Sequence, residues 1–182
     1  MMKKNYNHTR FAILGLLTTE CRTGYQIKQM IDGSLNHFWK ISYGQIYPTL
    51  KTLADEGLAT VQDTKQDGKP DKKEYLLTSK GEKELREWLK SPLKDIPIHK
   101  NEVLLKLFFS RHQEKERTIN YLQHYHEILQ EKLNTYGGIE SVIHKHSLDN
   151  ADAQYWLFTL DYGKRITAAE IAWCEDTIKK LV

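Results

Sequence analysis

The chemistry that residues 42–58, SYGQIYPTLKTLADEGL, can perform is recognition rather than bond making. Ile46, Leu50 and Leu53 recur at helical spacing and define a face for burial. Opposite them lie Gly44, Pro48, Lys51 and Asp55, flanked by Gln45, Tyr47 and Thr52. The Gln45 amide can pair with adenine and the Lys51 ammonium with guanine or phosphate, while Tyr43, Tyr47 and Thr52 add hydroxyl groups. Ser42 stands three residues before Gln45, the spacing of a capping box. Gly44 and Pro48 are poor helix formers, but on an outer stripe near a helix start they allow close approach to another surface. That start suits a DNA major groove, which is read by the N-terminal part of a recognition helix. The plainer reading is a solvated face with an incidental kink.

A second group is basic. Lys65, Lys69, Lys72 and Lys73 surround the turn Gln66-Asp67-Gly68-Lys69-Pro70, with Asp63, Asp67 and Asp71 diluting the charge. A lysine-bearing hairpin beside a polar helix start matches backbone contacts flanking a base-reading element, and the combination favours DNA over a solvated turn. The expected DNA-contacting set is Ser42, Tyr43, Gln45, Tyr47, Pro48, Lys51, Thr52, Lys69, Lys72 and Lys73.

Other constellations carry less. His124 and His126, like His144 and His146, are two residues apart and diverge on a helix, and no zinc-type spacing accompanies them; no metal and no cofactor are expected. Tyr155, Trp156, Phe158, Tyr162 and Trp173 suit a packed dimer core, or an effector pocket that would use Trp156 and Trp173. There is no Ser-His-Asp spacing, phosphate loop, dinucleotide motif or paired catalytic carboxylate, so an enzyme is not expected.

The elements that must hold these groups are mostly helical. The chain has 182 residues, 40% of them apolar, and two cysteines, Cys21 and Cys174, which read as free thiols of a reducing cytoplasm. Lys3, Lys4 and Arg10 before the run Phe11–Leu17 suggest a leader only superficially: the run is short, Glu20 interrupts the approach to Cys21, and no small-residue cleavage site follows. No stretch approaches the ~20 apolar residues that span a bilayer, so no membrane partner is expected. The net charge is +3, with 15 basic and 11 acidic residues in 1–92 against 12 and 13 in 93–182.

The pattern predicts a first helix capped by Thr9, a second opened by Thr23-Gly24 and closed by Gly33, and an aromatic connector of Leu35, Phe38 and Trp39. The quoted stretch is the third helix. Strands follow over Ala59–Thr64 and Lys73–Thr78, with Val61, Tyr75 and Leu77 facing the core. A fourth helix, capped through Ser79–Glu82, buries Leu85, Trp88 and Leu89 and stops at Pro92. Three helices and a β-hairpin within residues 1–92 predict a winged helix-turn-helix. Residues 97–182 read as an antiparallel helical dimerisation domain. There Ile119, Leu122, Tyr125, Leu129, Leu133 and Tyr136 repeat until Gly137-Gly138 ends their helix. A last helix of roughly 40 Å follows, whose stripe Leu160, Ile171, Cys174, Ile178 and Leu181 is expected to meet a second copy because so long a helix has no room to fold back.

FAILGLL, TGYQIK, FWKISYGQIYPTLKTLADEGL and KKEYLLTSKGEKEL together resemble the PadR family of transcriptional regulators over residues 8 to about 91. The remainder resembles the helical domain of the longer members by length and layout more than by motif. The resemblance implies a homodimeric winged-helix repressor on a palindromic operator in double-stranded DNA. Gln45, Tyr47 and their neighbours would enter the major groove, and the wing Lys69–Lys73 would touch phosphate or the minor groove. It further implies control of detoxification, efflux or virulence genes, with release by a small aromatic or drug-like effector in some members. The competing expectation is a winged-helix module that binds protein and never reads DNA; steep weakening by salt would mark the DNA binder.

Overall fold

The computed structural model describes residues 8–64, 72–93 and 100–182. The expected turn at Gln66–Pro70, with Lys65, Lys69 and Asp71, lies outside the described residues, and Lys72 is described through its backbone alone. The chain forms two compact units, Met1–Ile96 and Pro97–Val182.

The first unit is a winged helix. Helix α1 (His8–Leu16) buries Phe11, Ile13, Leu14 and Leu16. Thr9 falls inside α1 and is not its cap. Helix α2 (Gly24–Gly33) starts at Thr23, whose hydroxyl accepts the Gln26 N–H while the Gln26 side chain answers the Thr23 N–H. Such reciprocal caps satisfy donors that a helix start otherwise leaves unpaired. A short 3-10 turn, Leu35–His37, leads to α3 (Tyr43–Asp55), which buries Ile46, Leu50 and Leu53 as the spacing predicts. Gly57 takes a positive φ of 70° after α3, the left-handed conformation that glycine adopts without steric cost. Strands β1 (Ala59–Thr64) and β2 (Lys72–Leu77) pair antiparallel with Ala59 opposite Leu77 and Val61 opposite Tyr75.

Two inward assignments need correction. Val61 is exposed although its partner Tyr75 is buried, because it is the Tyr75 strand, bonded through its backbone to Arg22, that lies against the helices. Leu89 is exposed as well; only Leu85 and Trp88 of α4 (Ser79–Lys90) pack on the core. The cap of α4 is Thr78, one residue before the expected Ser79, and its hydroxyl accepts the Gly81 N–H at 3.1 Å. Gly81 must stay small there, since a Cβ would run into the Leu58 carbonyl, which is backbone and cannot yield. Trp88 stacks on Phe11 with ring centroids 4.7 Å apart. Arg10 ties α1 to both neighbours: it pairs with Glu56 just past α3 and with Glu84 of α4 at 2.8 Å. Arg10 beside it holds the Glu56 carboxyl below its ordinary range.

The second unit contains α5 (Glu102–Phe108), a 3-10 turn at Ser110–His112, and two long helices, α6 (Lys115–His146) and α7 (Ala153–Leu181). The long helices form an antiparallel hairpin. Apart from Thr118 near the start of α6, its buried positions step by seven: Leu122, Leu129, Tyr136 and Ile143 on α6, and Ala153, Leu160, Thr167 and Cys174 on α7. This is a heptad seam closed within one chain. At Gly163 a Cβ would meet the Tyr136 ring at 3.1 Å, so the helices lie close.

The seam overturns two expectations. The α6 helix runs through Gly137-Gly138 to His146, because burial of Tyr136 and Ile143 on both sides outweighs two glycine penalties of about 1 kcal/mol each. The long helix does fold back: Leu160 packs with Tyr136, Ile143 and Ala153, and Cys174 with Leu122 and Leu129. Ile171, Ile178 and Leu181 pack against that second cluster. Leu160, Ile171, Cys174, Ile178 and Leu181 therefore serve the core of their own chain. The outward stripe of α7 is a different set, Tyr155, Phe158, Tyr162 and Ile166, all exposed.

Trp156 and Trp173 do not line a common pocket. Trp156 packs on the Tyr136 cluster and Trp173 on the Leu122 cluster. Seventeen positions apart on one helix, they are separated by about 25 Å along its axis. The histidines diverge too, His124 facing Glu127 and His126 facing Glu175 at 3.2 Å across the hairpin. Among the described residues no cluster of three or more His, Cys, Asp or Glu is placed to hold a metal. None of the described helices is long and apolar enough to cross a membrane.

Candidate nucleic-acid interface

Burial of Ile46, Leu50 and Leu53 turns the other side of α3 outward, and Ser42, Tyr43, Gly44, Gln45, Tyr47, Pro48, Lys51 and Thr52 are all exposed. One continuous face thus carries every α3 residue expected from the sequence to touch DNA. The structure then assigns these side chains unequal freedom.

Gln45 is committed locally. Its Oε1 accepts both the backbone N–H of Ser42 at 3.1 Å and the Ser42 hydroxyl at 2.9 Å. An adenine contact through both ends of the amide needs that same oxygen as an acceptor for the base amino group. In this conformation Gln45 shapes the helix start and presents only its Nε2 outward. Capping and two-point base reading, both expected of Gln45, exclude each other.

Tyr43 is held from α2. Its hydroxyl donates to Asp32 Oδ1 at 2.6 Å, and Lys28 Nζ lies 4.2 Å from the ring centroid. The bond to Asp32 raises the Tyr43 phenol above its ordinary pKa, so it stays a neutral donor. Pro48 is the sixth residue of α3, beyond the first turn. Its missing N–H is therefore not one of the free ones at a helix start, as the sequence suggested, and the Gly44 carbonyl loses its helical donor. An interior proline costs about 3 kcal/mol. The Thr52 hydroxyl donates to the Pro48 carbonyl at 3.0 Å. Lys51 projects from the same face.

The hairpin is docked beside the start of α2 through its backbone, the Tyr75 N–H donating to the carbonyl of Arg22, just before the Thr23 cap, at 2.7 Å. This brings the exposed Lys73 to a shallow groove lined also by Thr23, Gly24, Tyr25, Gln29, Tyr47 and Tyr75. Lys73 faces Asp63 across the ladder, which tempers its charge. Burial, with Tyr47 and Asp63 nearby, raises the Tyr75 phenol above its ordinary pKa.

Sequence reasoning missed the contribution of α2. Tyr25 is mostly exposed, Gln29 donates to its hydroxyl at 3.1 Å, and Lys28 reaches Tyr43. The signal was available: with Ile27 and Ile31 buried, Tyr25, Lys28 and Gln29 fall outside the buried stripe.

Comparison with known proteins agrees with this architecture. Residues 13–87 match the family described as the transcriptional regulator PadR-like family, and residues 99–182 match one described as virulence activator alpha C-term. The negative transcriptional regulator PadR of Bacillus subtilis (strain 168) is 42% identical over 103 residues, which span 55% of this chain and 55% of that protein. The chain matches about half the length of the curated relatives. Bacillus subtilis PadR in complex with operator DNA superposes with a TM-score of 0.85 at 29% identity, covering 97% of this chain and 100% of the other. Bacillus subtilis PadR in complex with p-coumaric acid gives a TM-score of 0.79 at 28% identity, covering 94% and 97%.

Proposed function

We propose, from the match of residues 13–87 to the PadR-like family of transcriptional regulators, a non-enzymatic class, that the chain is a cytoplasmic, dimeric DNA-binding repressor that sets α3 in the major groove and the hairpin against the backbone. One observation carries the reading: the outward face of α3 is polar, continuous and braced from α2, with Lys73 beside it. A face meant only for water gains nothing from that bracing. Tyr47, Lys51 and Thr52 make the groove contacts, Gln45 and Tyr43 orient the helix start, and Lys73, with Lys69 and Lys72, carries phosphate affinity.

The dimer forms through the exposed stripe Tyr155, Phe158, Tyr162 and Ile166, since Leu160 and Cys174 are buried inside the hairpin and Ile171, Ile178 and Leu181 are partly buried against it. The regulated gene serves detoxification or efflux, and a small aromatic acid releases the DNA, in line with the relative bound to p-coumaric acid. The relative named as a negative regulator supports repression.

The test is selection. The full chain is incubated with a randomised duplex pool and bound molecules are amplified. The expected winner is a palindrome whose half-sites lie about one helical turn, or a multiple of it, apart. Its affinity should fall steeply with salt as counterions are released, and Lys73→Ala should flatten that slope. Failure to enrich any sequence, together with weak binding indifferent to salt, would sink the proposal in favour of a protein-binding module.

A further inference from the structure

Gly24 is the first residue of α2 and is buried. Nothing about a first helical position calls for glycine. The backbone does not demand it, since among the described residues the only positive φ at a glycine is that of Gly57. What Gly24 provides is space. A Cβ there would lie 2.5 Å from Tyr47 Cε1, 2.8 Å from Cζ and 3.1 Å from the hydroxyl oxygen. All three are distal atoms of one side chain from another helix. At Gly44 an added Cβ meets nothing within 4 Å, and at Gly81 it meets backbone. Gly24 alone of the three is filled by a flexible side chain of the candidate interface.

Tyr47 is 60% exposed, so little of its surface is held by the fold. The Gly24 backbone is the seat of its ring, in the groove it shares with Tyr25, Gln29 and Lys73. A ring already seated loses less freedom on binding than one that must be ordered at the moment of contact.

We infer that Gly24 is a positioning residue for DNA recognition, its missing side chain seating Tyr47 of α3 in the orientation that meets the major groove. The inference rests on the reading that α3 enters that groove. Any side chain at position 24 swings the Tyr47 ring out of place while the fold survives, because the colliding atoms belong to the far end of a side chain.

A double-mutant cycle tests this with the full chain, the duplex enriched by the wild-type protein, and a scrambled duplex. Gly24→Ala should not lower the Tm, and should weaken the enriched duplex about five- to tenfold with little change on the scrambled one. Tyr47→Ala should weaken it by at least as much. The double variant should bind like Tyr47→Ala alone, because the alanine at 24 then has no ring to displace. Losses that add would overturn the inference. So would a Tm lowered by Gly24→Ala with or without Tyr47, which makes the glycine structural. If Tyr47→Ala leaves selectivity untouched, the positioning role falls and the regulator reading stands. If the pool yields no enriched duplex, both fall together.

Discussion

Helices α3 and α7 are both amphipathic and both leave tyrosines exposed, yet their outward faces differ in kind. On α3 the exposed aromatics are tied down: Tyr43 donates to Asp32, and Tyr47 lies on Gly24. Around them stand an amide, an ammonium and hydroxyl groups. On α7 the exposed stripe mixes Tyr155 and Tyr162 with Phe158 and Ile166 and offers mainly apolar surface. A braced polar face prepares for a hydrated, charged partner such as a nucleic-acid groove. An apolar stripe opposite a completed seam prepares for burial against protein. Exposure of a tyrosine says little until its neighbours say what it can meet.

The comparison breaks most visibly at α7. Leu160→Asp puts a charge into the seam and should cost about 4 kcal/mol or more, melting the hairpin. Tyr162→Asp on the outward stripe should leave the Tm nearly unchanged and shift sedimentation of the protein towards monomer. A folded monomer from Leu160→Asp would take that residue out of the seam and place it between chains. A gentler test concerns Thr167, which is fully buried and whose hydroxyl has no hydrogen-bond partner. Thr167→Val keeps the shape and removes an unsatisfied polar group, so it should stabilise by about 1 kcal/mol, seen as a raised midpoint in urea. No gain would mean the hydroxyl finds water in solution.

The smallest effect concerns the brace under α3. Arg10 depresses the Glu56 carboxyl, so the stabilisation from that pair is present above the ordinary carboxylate pKa and is lost as pH falls through the depressed folded value. The protein should lose stability across this acid range, and Glu56→Gln should lose less between neutral and acid pH. Equal slopes of Tm against pH would remove Glu56 from the account. The pair is partly exposed, so salt should narrow the difference.

Much of the winged helix was legible because its signals are local. Thr23, Ser42 with Gln45, and the alternation through Ala59–Thr64 specify starts, caps and strands within a few residues of themselves. The readings that failed depended on what lay opposite. Gly137-Gly138 looks like a stop until α7 packs across it; Val61 and Leu89 look inward until their coverage is known. Trp156 and Trp173 look like a pair until the helix axis separates them.

By itself the sequence determined the winged-helix order, the outward face of α3 and the heptad step of α6, because backbone periodicity follows from residue order alone. Only the tertiary structure decided which surface each face meets. Leu160 and Cys174 were apolar in either reading, and closing the hairpin made them core; Gln45 could cap or read, and its bonds to Ser42 chose the cap; Gly24 and Tyr47 are far apart in the chain and met only when α2 and α3 packed. Apolar burial is non-directional and accepts whichever partner arrives, so only the packed fold names the partner.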